Sequence, residues 1–152
     1  MNDKKKIKLK IATPERVVFQ EEVERITIPT KKGEITILPD HISLISNLSA
    51  GAIELEREDE VFSMAISGGF LDFHKNELTI LADTAERAEE IDIERAEEAR
   101  KKAEEMKQDA RKSLDEEQYA VVVSRIEKQL ARIRTARRFQ RRGRASMNID
   151  GR

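Results

Sequence analysis

At 152 residues, 39% of them charged and only 38% hydrophobic, the chain has apolar material for one modest core. It contains no cysteine, which excludes a disulfide scaffold, thiolate catalysis and cysteine-ligated metal. The net charge of −1 hides an asymmetry: residues 1–84 carry 11 Lys/Arg against 15 Asp/Glu, whereas residues 85–152 carry 18 against 15.

The opening "MNDKKKIKLK" is basic but has no apolar run of about 7–15 residues, so it does not read as a secretory signal. No stretch of about 18 apolar residues occurs that could span a bilayer as a helix. Lys6–Ala12 alternates Ile7, Leu9 and Ile11 with lysines, the period-two pattern of a half-buried strand. Ile26 and Ile28, then Ile35 and Ile37, then Ile53 and Leu55 repeat it. Phe62, Met64 and Ile66 alternate with Ser63 and Ala65, and Leu78–Leu81 closes the series. Turn residues separate these runs at Thr13-Pro14, Gly33, Pro39-Asp40, Gly51, Gly68-Gly69 and Lys75-Asn76. Short strands with turns roughly every eight to twelve residues predict an antiparallel sandwich or barrel.

All three prolines and four of the six glycines precede residue 84, and Ala85–Arg142 contains neither. A boundary is therefore predicted near Asp83-Thr84, with helices beyond it. Ile93, Ala96, Ala99, Ala103, Met106 and Ala110 recur at helical spacing, with Asp92 as N-cap. After a break at 112–115, where Ser113-x-x-Glu116 has the spacing of a capping box, a second stripe follows. It consists of Val122, Ile126, Leu130, Ile133 and Ala136. The short connection makes the two helices antiparallel neighbours. Their seam is mostly alanine, so the hairpin needs the β-domain, a partner or a ligand to hold it. The last ten residues, 143–152, read as a disordered tail.

Candidate chemistry is sparse. His41 and His74 have no ligand partners at metal spacing and accompany no nucleophile, so they read as turn or surface histidines. Gly68-Gly69 lacks the frame of a phosphate loop and fits a tight connection at a strand end. Most of the paired glutamates fall on expected solvent faces, and none is set in an evident pocket. Arg132–Arg144 holds seven arginines and no acid. That block fits an acidic protein surface or a plain solvated face; with Phe139 as its one aromatic and a chain pI near 6.2, it is a poor general nucleic-acid binder.

Three stretches resemble one family in order and spacing: "GEITILPDHISLI" (Gly33–Ile45), "SGGFLDFHKNELTILADTAERAEEID" (Ser67–Asp92) and "IDIERA" (Ile91–Ala96). Together they resemble the epsilon subunit of F-type ATP synthases over residues 7 to about 140. The resemblance implies an α+β chain with a ten-stranded antiparallel β-sandwich at 1–84 and a regulatory helical hairpin at 85–142. It implies a non-catalytic rotor subunit whose sandwich ties the gamma subunit to the c-ring, peripheral to the cytoplasmic face of a bacterial membrane. Glu34, Pro39 and His41 would then shape the edge that meets the ring and gamma. The hairpin would restrain ATP hydrolysis by reaching acidic segments of the catalytic alpha/beta head through Arg134, Arg137, Arg138 and Arg141. No cofactor is required, but some bacterial relatives bind regulatory ATP on the hairpin. The matching positions are Ile91, Asp92, Arg95 and Ala96, with Glu86, Lys128 and Arg132 nearby. Lys102 and Lys128 stand where the ATP-binding pattern has arginine, keeping charge but losing the planar fork. Asp92 as a plain cap, with Arg95 paired to a glutamate, is the competing reading. A rotor subunit without regulation, and an RNA- or protein-binding adaptor, are the other functional readings.

Overall fold

The computed structural model describes residues 4–113 and 115–149, the last five as backbone. Ten strands come first: β1 (Ile7–Ala12), β2 (Val17–Val23), β3 (Arg25–Thr30), β4 (Gly33–Ile37), β5 (Leu44–Leu48), β6 (Gly51–Arg57), β7 (Glu60–Ile66), β8 (Gly69–His74), β9 (Glu77–Ala82) and β10 (Ala85–Arg87). They form one folded-over sheet in the order β10-β7-β6-β3-β5-β8-β9-β1-β2, with β4 also paired to β3. The expected alternation holds on β1, where Ile7, Leu9 and Ile11 are buried and Lys8 and Lys10 exposed. Ile26, Ile28, Ile37, Ile53, Leu55, Leu71, Phe73 and Ile80 join them in a single aliphatic core.

Pairing is antiparallel except for β1 beside β9, which run parallel, Leu9 opposite Leu78. Parallel neighbours need a long connection, and here nearly the whole sandwich supplies it. Two hairpins turn through residue pairs with positive φ, Glu58-Asp59 and Lys75-Asn76. That geometry suits the right-handed twist of the flanking strands. Gly69 is required by space: a Cβ there would lie 2.0 Å from the Leu81 carbonyl oxygen.

The sandwich ends later than the composition shift implies. β10 pairs with β7, Ala85 opposite Ile66 and Arg87 opposite Met64, and a 3-10 turn at Ala88–Glu90 follows. The helices are α1 (Ile93–Ser113) and α2 (Glu116–Ile149). Asp92 caps α1 as expected, its Oδ1 accepting from the Arg95 amide at 3.1 Å. The second cap is Asp115 instead of Ser113: Asp115 Oδ1 accepts from the Gln118 amide at 3.0 Å, while Ser113 Oγ donates back to the Ala110 carbonyl.

The expected tail at 143–152 is corrected in part. Helix α2 runs on to Ile149, and residues 150–152 lie outside the described residues. Gly143 costs a helix about 1 kcal/mol relative to alanine but lacks the ring clash that makes proline a breaker.

On α1, Ala96, Ala103 and Ala110 are buried at a seven-residue interval, facing α2. Met106, counted in the same stripe from sequence, is 47% exposed. The hairpin lies on the sandwich with α2 against β6, β7 and the 3-10 turn. Ala65, Ile91 and Ala136 meet there in a second small core. This cover explains why both faces of β7 are closed at Ser63–Ile66.

Candidate functional site

At one end of the sandwich, β4 leads into the loop that carries Pro39 and His41. Asp40 sits at φ 65, and three contacts hold it there. Its amide donates to Asn76 Oδ1 at 2.6 Å, Asn76 Nδ2 donates to Asp40 Oδ1 at 3.0 Å, and Lys5 Nζ meets Oδ2 at 2.5 Å. The Lys5 bond, then the Asn76 bond, hold the Asp40 carboxyl below its ordinary range. His41 donates its amide to the Leu38 carbonyl, bonds the Ile42 carbonyl through Nδ1 and lies edge-on to Phe73. His74 bonds Ser43 Oγ at 3.0 Å. Among the described residues neither ring joins a cluster of metal-ligating side chains. Around them Leu38 is 52% exposed, Ile42 78% and Ile45 75%. Three apolar side chains thus stand exposed beside a loop whose polar groups are fixed by hydrogen bonds. Glu34 is not at this end: it lies at the start of β4 opposite Pro29 and lines a groove with the arginines of α2, away from Pro39 and His41.

The second set of candidates divides. Glu86 on β10 accepts a two-pronged bond from Arg132, Nε to Oε2 at 2.7 Å and Nη2 to Oε1 at 3.1 Å. Gln129 Oε1 accepts from the same guanidinium at 2.8 Å. Lys128 joins them around a cavity of about 350 Å³ between β10 and α2. The fork-on-carboxylate geometry is the strong form of an ion pair. Ile91 and Ala96 are buried and serve packing. Asp92 is used as a cap, Arg95 is exposed, and neither lines that cavity. Arg95 forms no ion pair among the described residues.

The arginines of α2 make the third set. Arg137 pairs with Glu97 near the start of α1. Arg138 and Arg142 hold the two oxygens of Glu54 on β6, at 3.0 and 3.1 Å. Burial raises the Glu54 pKa, but the two guanidiniums outweigh it and leave the carboxyl below its ordinary range. Arg134 and Arg141, on the same helix face, have no ion pair among the described residues. Glu54, Glu97, Gln129 and Arg142 were not legible as partners, because a glutamate on a strand's outer face gives no sign that a helix will cover it. Glu24, Glu56 and Asp59 also cluster, but Lys4 pairs with Glu24 and Arg25 with Glu56, which accounts for the charge.

Among the described residues no helix is long and apolar enough to cross a membrane. Residues 6–88 match the family described as ATP synthase, Delta/Epsilon chain, beta-sandwich domain, which gives the class of the folded-over sheet. Over 105 residues the chain is 45% identical to the ATP synthase epsilon chain of Pelotomaculum thermopropionicum, covering 69% of this chain and 78% of that one. Over 99 residues it is 50% identical to the ATP synthase epsilon chain of Dehalococcoides mccartyi, covering 65% and 71%. Among solved structures it resembles a chain in the Euglena gracilis mitochondrial ATP synthase OSCP/F1/c-ring assembly. That match has a TM-score of 0.69 and 30% identity, covering 80% of this chain and 76% of the other. The chain belongs to the ATP synthase epsilon chain family.

Proposed function

We propose that this chain is a non-catalytic central-stalk subunit that couples rotation of a c-ring to the gamma subunit and restrains ATP hydrolysis through its hairpin. The coupling part is supported by the exposed apolar end of the sandwich, where Leu38 and Ile42 flank Pro39 and His41; Glu34, at the other end of β4, would be a separate contact. Gamma and the polar loops of the ring are the partners for that end. The subunit sits peripherally on the cytoplasmic face of a bacterial membrane, as part of the complex.

One observation carries the regulatory part: α2 is docked by charge pairs along its side and by a small buried apolar set, Val122, Ala131, Ile133 and Ala136, of which two are alanine. The Arg137–Glu97 pair is exposed and contributes little, whereas the Arg132 fork on Glu86 and the Glu54 clamp are part-buried and stronger. Arg137 and Arg138 are held by Glu97 and Glu54 in the docked state, and Arg134 and Arg141 stand beside them. An acidic segment of the catalytic head offers the same carboxylate chemistry. Docking and inhibition thus compete for the same guanidiniums.

The test is ATP hydrolysis by the assembled complex with the chain ended after Glu90, which keeps β10 and the 3-10 turn. A cut at Asp83 would remove β10 and confuse loss of the hairpin with damage to the sandwich. Faster hydrolysis with retained proton pumping is expected; unchanged hydrolysis leaves a rotor subunit without regulation.

Regulatory ATP is a second reading, favoured by Glu86, Lys128 and Arg132 around one cavity. Nucleotide there must displace Glu86 from the Arg132 fork. Equilibrium dialysis with ATP on Arg132→Gln and Arg95→Ala checks it; equal retention by wild type and both variants removes the site.

A further inference from the structure

The buried stripe of α1 against α2 is alanine, and one charged side chain shares its face. Arg100 stands four residues after Ala96 and three before Ala103, so its stem lies along the seam between the helices. Its Nε is shut off from water and has no hydrogen-bond partner, the one buried side-chain nitrogen or oxygen in that position among the described residues. The Glu104 carboxylate, one turn on, lies 3.9 Å from this nitrogen, too far for a hydrogen bond. The side chain as a whole is 34% exposed, so the unanswered group is the N–H at the root of the guanidinium and not its outer end. Arg132 on α2 shows the contrast: its Nε donates to Glu86 and its Nη1 to Gln129.

A buried donor without an acceptor costs the closed seam the desolvation of that group, and the cost disappears when the group regains water. Separation of α1 from α2 returns the Arg100 N–H to solvent, so the cost falls on the closed state alone. Helix formation does not call for arginine here, because lysine is nearly as good a helix former. Lysine would place a methylene where Nε stands and still offer a positive charge to Glu104. The seam thus carries a polar group that a closer fit would omit.

We infer that Arg100 is a built-in bias toward opening of the hairpin, holding the α1–α2 seam less tightly closed than the same helices would be without a buried N–H. The bias belongs to the two helices. It involves no ligand, is separate from the Glu86 and Glu54 contacts, and stands whether or not the hairpin regulates hydrolysis.

Native-state hydrogen exchange of the full chain tests it, under conditions where exchange reports the opening equilibrium. Amides of α1 and α2 should exchange about tenfold more slowly in Arg100→Lys than in wild type, the scale expected when one buried donor is relieved of its cost. Arg111→Lys makes the same chemical change at an exposed position of α1 and should alter exchange by no more than about twofold. Arg100→Met removes the charge together with the N–H and should also slow exchange, so the result does not hang on Glu104. Amides of β1 and β9 report the sandwich and should keep their rates in every variant. Circular dichroism verifies helix content. Unchanged or faster exchange in Arg100→Lys would overturn the inference, and is the result expected if a water molecule answers Nε in the closed seam. Equal slowing in Arg111→Lys, or slowing that extends to β1 and β9, would overturn it as well.

Discussion

The sandwich and the hairpin are held together by different physics. In the sandwich, Ile7, Ile26, Ile28, Ile37, Ile53, Leu71 and Ile80 are almost wholly removed from water. Each such side chain contributes about 1.5–3 kcal/mol of transfer free energy. Between the helices, the fully buried contacts of α1 are alanines. Where α2 meets the sandwich, a small core of Ala65, Ile91 and Ala136 is joined by arginine–carboxylate pairs to Glu86 and Glu54. The arginine side of the Glu54 pairs is half exposed and screened by salt, and an exposed pair contributes only about 0.2–1 kcal/mol; the part-buried Arg132 fork on Glu86 is the strongest of them. One half therefore holds its shape under load, and the other is attached by many small, replaceable contacts.

The sharpest way to break this contrast is to cut into each half. Ile26→Ala removes a fully buried side chain from the central strand and should cost about 2–5 kcal/mol in urea denaturation of the full chain. Ala103→Leu instead inserts bulk into the seam between helices and should cost about 1–3 kcal/mol, confined to the hairpin. Hydrogen exchange distinguishes them: the first substitution should speed exchange throughout β3, β4 and β6, the second only in α1 and α2. Equal spreading of both effects would mean that the two halves unfold as one cooperative unit.

Much of the sandwich was legible because aliphatic alternation carries the sign of the buried face, as on β1. The alternating runs left out β2, β5, β8 and β10, and for β2 and β10 the physical reason is plain. In β2, Val17 is exposed and Val23 buried, with an irregular register at Ala12 opposite Val17, so no clean period survives. Strand β10 is three residues long and carries no apolar stripe; only its pairing with β7 defines it. Helix α1 was readable from its alanines, but the end of α2 was not, since "GRASMN" lacks periodicity and helix continuation there follows from the absence of a breaker. Of the candidate site residues, Glu86, Lys128 and Arg132 come together and Asp92 and Arg95 stay apart from them. Sequence spacing along α1 could not reveal this, because the cavity is formed by β10 and α2. Glu54 was invisible for the same reason: its partners are more than eighty residues away.

That distant pair provides the mildest and most specific probe of the contrast. Glu54→Gln keeps the shape of the side chain and removes the charge that Arg138 and Arg142 share, so the sandwich should keep its stability. Docking should weaken by about 1 kcal/mol, the scale of a partly exposed charge-assisted pair. The same contact has a pH signature. Because the docked carboxyl lies below its ordinary range, its contribution is fully present above the ordinary glutamate pKa. It is lost as pH falls through the depressed docked-state value. Distance measurements between labels on α2 and β6 should therefore show wild type releasing on acidification within the acid range. Glu54→Gln should already be partly released at neutral pH and lack that component of the acid response. If acid releases both proteins identically, other carboxylates, with Glu86 and Glu97 the first to examine, hold the helix; the contrast would survive with a different clamp.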